Sequence, residues 1–444
     1  MKRQHSILLI LFLLSTLAAC SPGHAGGNII AFVRDGQLWT IDPNGANALA
    51  VVTQDAPVIG YGWSPNHQLL TFRVLDSDLA KTQAAQHLPS QSPAELIGDQ
   101  SSSVNTIGVD GGTPIPIAFA SGDVRYGNAQ WNSNGTRLLF RQSGTSPTSP
   151  VSAAWWVSQN DQPGGIAIKS LPNSYSIPSL SYQENAYRAL GMTSVGIFST
   201  TLAGTDKHIV LPGLLPGHPL PSSLERILWQ PAHQDQHFLY AVTTEQQTGN
   251  NAALTIQLRL GSINGHSQPL TTCTCTQFAW SPDGQAILYT TGTSYTIMDL
   301  NAATTFTFSA EAGSVPYWSP DSHFLLLDGL HTLTLVEKQS KSQTILLSDG
   351  TGGQDSGSGG SAAQPGTNAL LQPVPNSIWA ADSRHFLFLT HHRLQWQQQH
   401  LKMGLYTVGL DDQGHPQNTP TLVDDGHDTQ AGWTYQDPNT SFLY

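Results

Sequence analysis

The chain has 444 residues, of which 39% are apolar and only 11% charged, with a formal net charge of -12. An average soluble domain carries roughly 25% charged residues, so this surface must be built largely from neutral polar side chains. The acidic balance, with no Lys/Arg cluster beyond Lys2 and Arg3, argues against a nucleic-acid partner.

Residues 1–20 read as a targeting segment rather than as part of the fold. Lys2 and Arg3 form a charged start, and Ile7 to Leu14 an apolar run too short to span a bilayer. Leu17, Ala18, Ala19 and Cys20 follow, with an aliphatic residue three places before the cysteine and small residues next to it. This tetrad resembles the lipobox of bacterial lipoproteins, which implies lipidation of Cys20 and a membrane anchor at the cell envelope, on the extracytoplasmic side. The competing reading is an ordinary secretory signal ending near Ala25. Ser21 to Gly27 is a short tether, and the folded part is expected over residues 28–444.

Strands are expected from Ile29 to Val33, Leu38 to Asp42 and Leu49 to Val52, with turns at Asp35-Gly36 and Asn44-Gly45. A further strand leaves Trp63 and runs to Val74. Residues 76–103 then lose strand periodicity, reading as a lid or a disordered insertion with a short helix over Leu79 to Leu88. Strands resume at Val104 to Val109 and Ile115 to Phe119. The same rhythm continues through Arg137 to Arg141, Ala154 to Ser158, Ile166 to Ser170, Arg188 to Thr193, Val195 to Thr201 and His208 to Leu211. It goes on through His237 to Val242, the alternation Leu254, Ile256, Leu258, Leu260, then Ala286 to Thr290 and Tyr295 to Leu300. Phe324 to Asp328, Thr332 to Glu337 and Gln343 to Leu347 complete the next unit. Residues 348–367 form a Gly/Ser-rich insertion, after which the pattern restarts at Trp379.

What unifies these strands is a repeated aromatic, turn and apolar strand. The best copy is WSPDGQAILY from Trp280 to Tyr289: Pro282 pre-sets φ for a type I turn, Asp283 suits the next position, and Gly284 supplies positive φ. Graded copies start at Trp63, Trp131, Tyr182, Trp229, Trp318, Trp379 and Trp433. A unit of this size cannot bury both of its faces alone and must stack on its neighbours. The motif resembles the TolB-like β-propeller repeat, a relative of WD-type repeats. That resemblance implies an all-β single propeller of four-stranded blades. Seven starts have room for a whole blade. The eighth, at Trp433, can be completed only by the strands at 28–53, with its own strand at Ala431 to Asp437, which gives eight blades. Ser441 to Tyr444 either pairs with Ile29 to Val33 or duplicates it. The Tyr182 copy lacks Gly and Pro in its turn and has Gly191 where an aromatic is expected; if it merely elaborates the Trp131 blade, the ring has seven.

Searching for chemistry returns little. No G-x-S-x-G elbow, H-E-x-x-H, Walker loop or Rossmann fingerprint occurs, so no catalytic residue, metal ligand or cofactor is expected. Cys273 and Cys275 would share one face of a strand. A bridge between them is disfavoured, because same-face Cα atoms lie nearly 7 Å apart in extended chain, roughly the limit for a disulfide. His391, His392 and His400 read as decoration of a strand and long loop. Asp283, Asp321 and Asp382 have a sufficient role in their turns, and the tryptophans read as packing between blades. Two function classes follow. The favoured one is a membrane-anchored binding or scaffold propeller for a protein, peptide or glycan, not an enzyme. The alternative is a polysaccharide lyase or hydrolase acting at the central channel. Nothing in the sequence sets the ligand or the oligomeric state.

Overall fold

The computed structural model describes residues 28–433, apart from 77–100, 168–178, 181–187, 202–205, 214–219, 221–223, 232–235, 349–370, 373–377 and gaps of one to three residues. Among the described residues the protein is all-β: eight antiparallel blades, each four strands wide, arranged as a β-propeller, the second with its inner position split between Val124–Tyr126 and Gln130–Trp131. Seven blades follow in chain order, spanning Val58–Ala118, Val124–Ala167, Ser179–Pro212, Ile227–Cys273, Gln277–Ser309, Val315–Ser348 and Leu371–Asp424. The eighth is composite. Its inner strand is Asp428–Trp433, and its other three are Ile30–Arg34, Gln37–Ile41 and Leu49–Val52.

Burial follows from this stacking. A second strand is covered by neighbours on both faces, and the clearest case, Phe324–Asp328, FLLLD, is buried at every position. The fourth strand lies at the rim and alternates, as in Thr304–Ser309, where only Phe308 is buried. The repeated tryptophans close the junctions between blades. Trp280 Nε1 donates to the carbonyl of Leu228 at 3.1 Å, and Trp379 Nε1 to that of Tyr317 at 2.9 Å. Each thus reaches the inner strand of the preceding blade, one residue before that blade's own tryptophan. Trp280 packs with Leu228, Leu239 and Phe278 across the fourth and fifth blades. Truncating such a side chain costs about 3–5 kcal/mol.

The turns form a second set of ties. Gly284 has φ +65°, as its place in the motif requires, and its N–H donates to the Ser281 carbonyl at 2.8 Å. Ser322 and Ser383 hold the same left-handed position with φ near 60°. A non-glycine residue there costs roughly 1–2 kcal/mol, and both serines have a compensating contact. The Asp283 N–H donates to Ser322 Oγ and the Asp321 N–H to Ser383 Oγ, each at 2.9 Å, so the turns of the fifth and sixth blades are each held by the next. The three aspartates accept N–H bonds two residues on, from Gln285, His323 and Arg384.

Two details of the expected fold change. The strand placed at Ala431 to Asp437 is Asp428–Trp433, so Trp433 ends the inner strand just as the other motif tryptophans do. Residues 441–444 and the helix expected over 79–88 lie outside the described residues. The doubtful unit after Tyr182 is a blade in its own right, with strands Ser179–Leu180, Arg188–Thr193, Gly196–Thr201 and His208–Pro212. Gly191 is not a defect in it. Gly191 pairs with Phe198 across the strands, and a Cβ at Gly191 would overlap the Phe198 ring. The aromatic has moved one strand outward. Gly261 and Phe238 make the converse pair in the fourth blade, with the ring on the second strand and the glycine on the third.

Ring closure joins chain positions about 400 residues apart. Ile30 pairs with Trp433, Phe32 with Ala431 and Val33 with Gln430, and the Arg34 guanidinium is bidentate on Asp424 of the seventh blade. Deleting residues 428–444 uncovers Ile30, Ala31, Phe32 and Val33, all at most 1% exposed, and removes a ladder whose bonds contribute about 1 kcal/mol each. The expected outcome is a loss of several kcal/mol, with new protease cleavage in residues 28–53. Unchanged melting would show that the ring does not depend on its terminal strand.

Candidate functional site

Strand direction gives the ring two unlike faces. Inner strands run toward the W-turn motifs and second strands run back, so the motif turns and the links between third and fourth strands share one face, the turn face. The links between second and third strands, and those between blades, emerge on the other. On the turn face the longest link between third and fourth strands is 410–420; in the seventh blade residues 373–384 separate the first two strands, with Trp379 bridging Phe386 inside that span. On the opposite face, strand ends are joined by residues 76–101, 145–153, 213–226, 349–370 and 391–403, and the fourth blade extends a hairpin from twelve-residue strands, His237–Thr248 and Asn251–Ser262. This is the insertion face. Long links tend to carry function while the blades hold them in place.

Three exposed apolar side chains stand at strand ends on the insertion face: Phe119 and Val195, each more than 60% exposed, and Met403. The face also gathers arginines. Arg73 lies in the second strand of the first blade, at its insertion-face end, yet is only 3% exposed. Its Nη2 donates to Ser102 Oγ at 3.4 Å, and Ser102 Oγ bonds the backbone of Tyr126 in the second blade. Arg125 adjoins that tyrosine and donates from Nε to Ser143 Oγ at 2.8 Å. Register places Arg125 opposite Ser143 and Gly127 beside Arg141, so Arg125 and Arg141 are diagonal neighbours on one sheet face. Burial, helped by the Arg125 charge, brings Arg73 down to about 10. The same two causes lower Arg141. Further round, Arg226 lies over the Phe278 ring at 5.0 Å, donates to the Phe278 carbonyl, and lines a small cleft with Gln277, Thr290 and Pro316. Glu311 is committed to structure: its carboxylate accepts the N–H groups of His331 and Thr332 and the Thr332 hydroxyl.

The histidine–carboxylate pairs sit on the turn face instead. His385 Nδ1 is 2.7 Å from Asp382 Oδ2, His323 Nε2 is 3.0 Å from Glu337 Oε1, and His415 Nδ1 is 3.3 Å from Asp411 Oδ2. They brace motif turns and rim links. Arg384 bridges Asp321 and Asp412 beside them.

Cys20, His391 and His392 lie outside the described residues, and His400 is exposed in a small hairpin of Leu394–Trp396 and Gln399–Leu401. Cys273 and Cys275 correct an expectation, because they form a disulfide. The spacing argument assumed extended chain. Strand Ser267–Cys273 in fact ends at the first cysteine, and the chain bends through Thr274, bringing the Cα atoms to 5.1 Å. Cys275 is buried with Leu228, Phe278 and Trp280, so the bridge staples the link between the fourth and fifth blades. The arginines escaped sequence reading, although an arginine inside the apolar run LLTFRVL is a legible anomaly. Among the described residues no three His, Cys, Asp or Glu side chains group as metal ligands.

No family model and no curated protein matches the chain. Solved structures do. A crystal structure of a eukaryotic initiation factor is 11% identical, with 93% of this chain and 100% of that one covered at a TM-score of 0.49. An oligogalacturonate lyase in complex with manganese is 10% identical over 71% and 86% of the two chains at 0.46. TolB from Acinetobacter baumannii is 14% identical over 62% and 75% at 0.36. At these scores the propeller rests on its own strand pairing rather than on the likeness.

The His385–Asp382 pair predicts a pH dependence. The Asp382 hydrogen bond raises His385 above its ordinary 6.5, against a smaller opposing effect of burial. Burial acts to raise Asp382, but bonds from the His385 ring and from the Arg384 and His385 N–H groups outweigh it and hold the carboxyl below 3.8. The histidine's contribution to stability is therefore complete below about pH 6.5 and lost as pH rises through its folded value; the aspartate's is lost only in strong acid. Between about pH 6 and pH 8, wild-type melting temperature should fall more steeply than that of His385→Gln. Parallel curves would show that the pair adds nothing.

Proposed function

We propose that this protein is a membrane-anchored extracytoplasmic binding or scaffold propeller, tethered through lipid on Cys20, which holds a protein, peptide or glycan partner on its insertion face. The observation that carries this reading is the asymmetry of the ring. Apart from residues 373–384, within which Trp379 pairs with Phe386 as an inner-strand residue, every link longer than 410–420 joins strand ends on one face, and that face also bears Phe119, Val195, Met403 and several arginines. Apolar side chains and arginine together are the composition of a recognition surface. The pairs suited to proton transfer, His385–Asp382 and His323–Glu337, belong to the other face and are occupied in holding turns. Binding is favoured over catalysis for that reason.

The anchor and the face are tested separately. Cys20→Ala should abolish incorporation of labelled fatty acid and move the protein from the membrane fraction to the soluble one; a wild type already soluble and unlabelled removes the anchor. For the face, a photo-crosslinking phenylalanine analogue placed at Phe119, Val195 or Met403 should give crosslinked products in intact cells. The same analogue at Ile263, exposed on the turn face, should give none. Crosslinks from Ile263 alone would assign binding to the wrong side of the ring.

A further inference from the structure

We propose that the propeller rests on the lipid bilayer by its rim at the seventh, eighth and first blades. Leu49, Ile115 and Leu422 enter the interfacial layer, and the insertion face is held away from the membrane. This orientation rests on the lipid anchor proposed at Cys20 and adds the surface that meets the bilayer. The chain enters the fold on the turn face, because Ile30 pairs with Trp433, which ends the inner strand of the eighth blade there. Cys20 lies eight residues before Asn28, and eight extended residues span at most about 29 Å. From Ala31 through Thr40 to Leu49 on the outer strand is two strand spacings, about 10 Å, so the anchor reaches past this rim. Going on to the insertion face adds the height of the strands, about 20 Å, and the links beyond them, which exceeds the tether.

The rim suits the contact at this place. Leu49, Ile115 and Leu422 stand exposed on the outer strands of three consecutive blades, and Ile345 continues the row on the sixth. Thr407 Oγ1 donates to the Pro43 carbonyl and Thr40 Oγ1 to the Val109 carbonyl, so the seventh, eighth and first blades adjoin. Edge strands are ordinarily guarded by charge, lysine above all. Leu49–Val52, Gly111–Ala118 and Ser342–Ser348 carry none, and the carboxylate of Thr421–Asp424 is held by Arg34. With Asp110, Asp411, Asp412 and Asp425 bordering the row, the contact is made by apolar burial rather than by attraction to anionic headgroups. A short tether gives these side chains a high effective concentration at the surface, so a few of them suffice to set orientation.

Full-length lipidated protein, with a photo-crosslinking phenylalanine analogue at one position and unchanged melting, is placed on vesicles of radiolabelled phosphatidylcholine. The analogue at Leu49, Ile115 or Leu422 should attach at least tenfold more lipid than at Ile209, exposed on the rim of the third blade, or at Val195 on the insertion face. Adding phosphatidylglycerol should give no increase. The orientation is overturned by equal attachment from Ile209, by attachment from Val195 in place of the rim, by attachment from no position, or by attachment that requires phosphatidylglycerol. Any of these in a protein that incorporates fatty acid removes the orientation alone. A protein that incorporates none loses the anchor, and the orientation with it.

Discussion

A four-stranded blade whose second strand is apolar on both faces cannot exist alone in water. Phe324–Asp328 has every residue buried, half against the fifth blade and half against the seventh. Each blade therefore needs two neighbours, and a row of such blades is satisfied only when its ends meet. That constraint places the terminal strands. Asp428–Trp433 has to become the inner strand beside Ile30–Arg34, because any other arrangement leaves two apolar sheets uncovered. Closure also covers the edge of Ile30–Arg34, which would otherwise invite pairing between molecules.

The motif turns make the ring regular. Trp280 and Trp379 each bond one residue upstream of the preceding blade's tryptophan, and the Asp283 and Asp321 N–H groups bond the left-handed serine of the following turn. Insertions between Trp280 and Ala286, or their counterparts, would break both ties at once. No such restriction acts where second strands pass to third strands or where blades are joined. Length and chemical variety therefore accumulate on the insertion face.

Most of this architecture was legible because its causes are local. W-S-P-D-G announces a turn through Pro282 and Gly284, and period-2 apolar runs announce the strands. The misreadings arose where the cause lies across the sheet or beyond a strand end. Gly191 looked like a weak blade because Phe198, seven residues on, supplies its missing ring from the next strand. The cysteines were judged as residues of one extended strand, whereas Cys275 belongs to the bend after it. The arginine group was invisible for the same reason, since Arg73 meets the second blade across the blade junction, through Ser102 of a neighbouring strand.

Charge is distributed according to the same division of labour. In a chain with so few ionisable residues, those on the turn face are spent on geometry: Asp283, Asp321 and Asp382 bond their own turns, and Arg384 joins two links. Each is placed within a few residues of the group it serves or on the adjoining turn. Arg73, Arg125 and Arg141 differ in being drawn together from separate strands of two blades, with Arg73 and Arg141 both lowered by the same neighbouring charge.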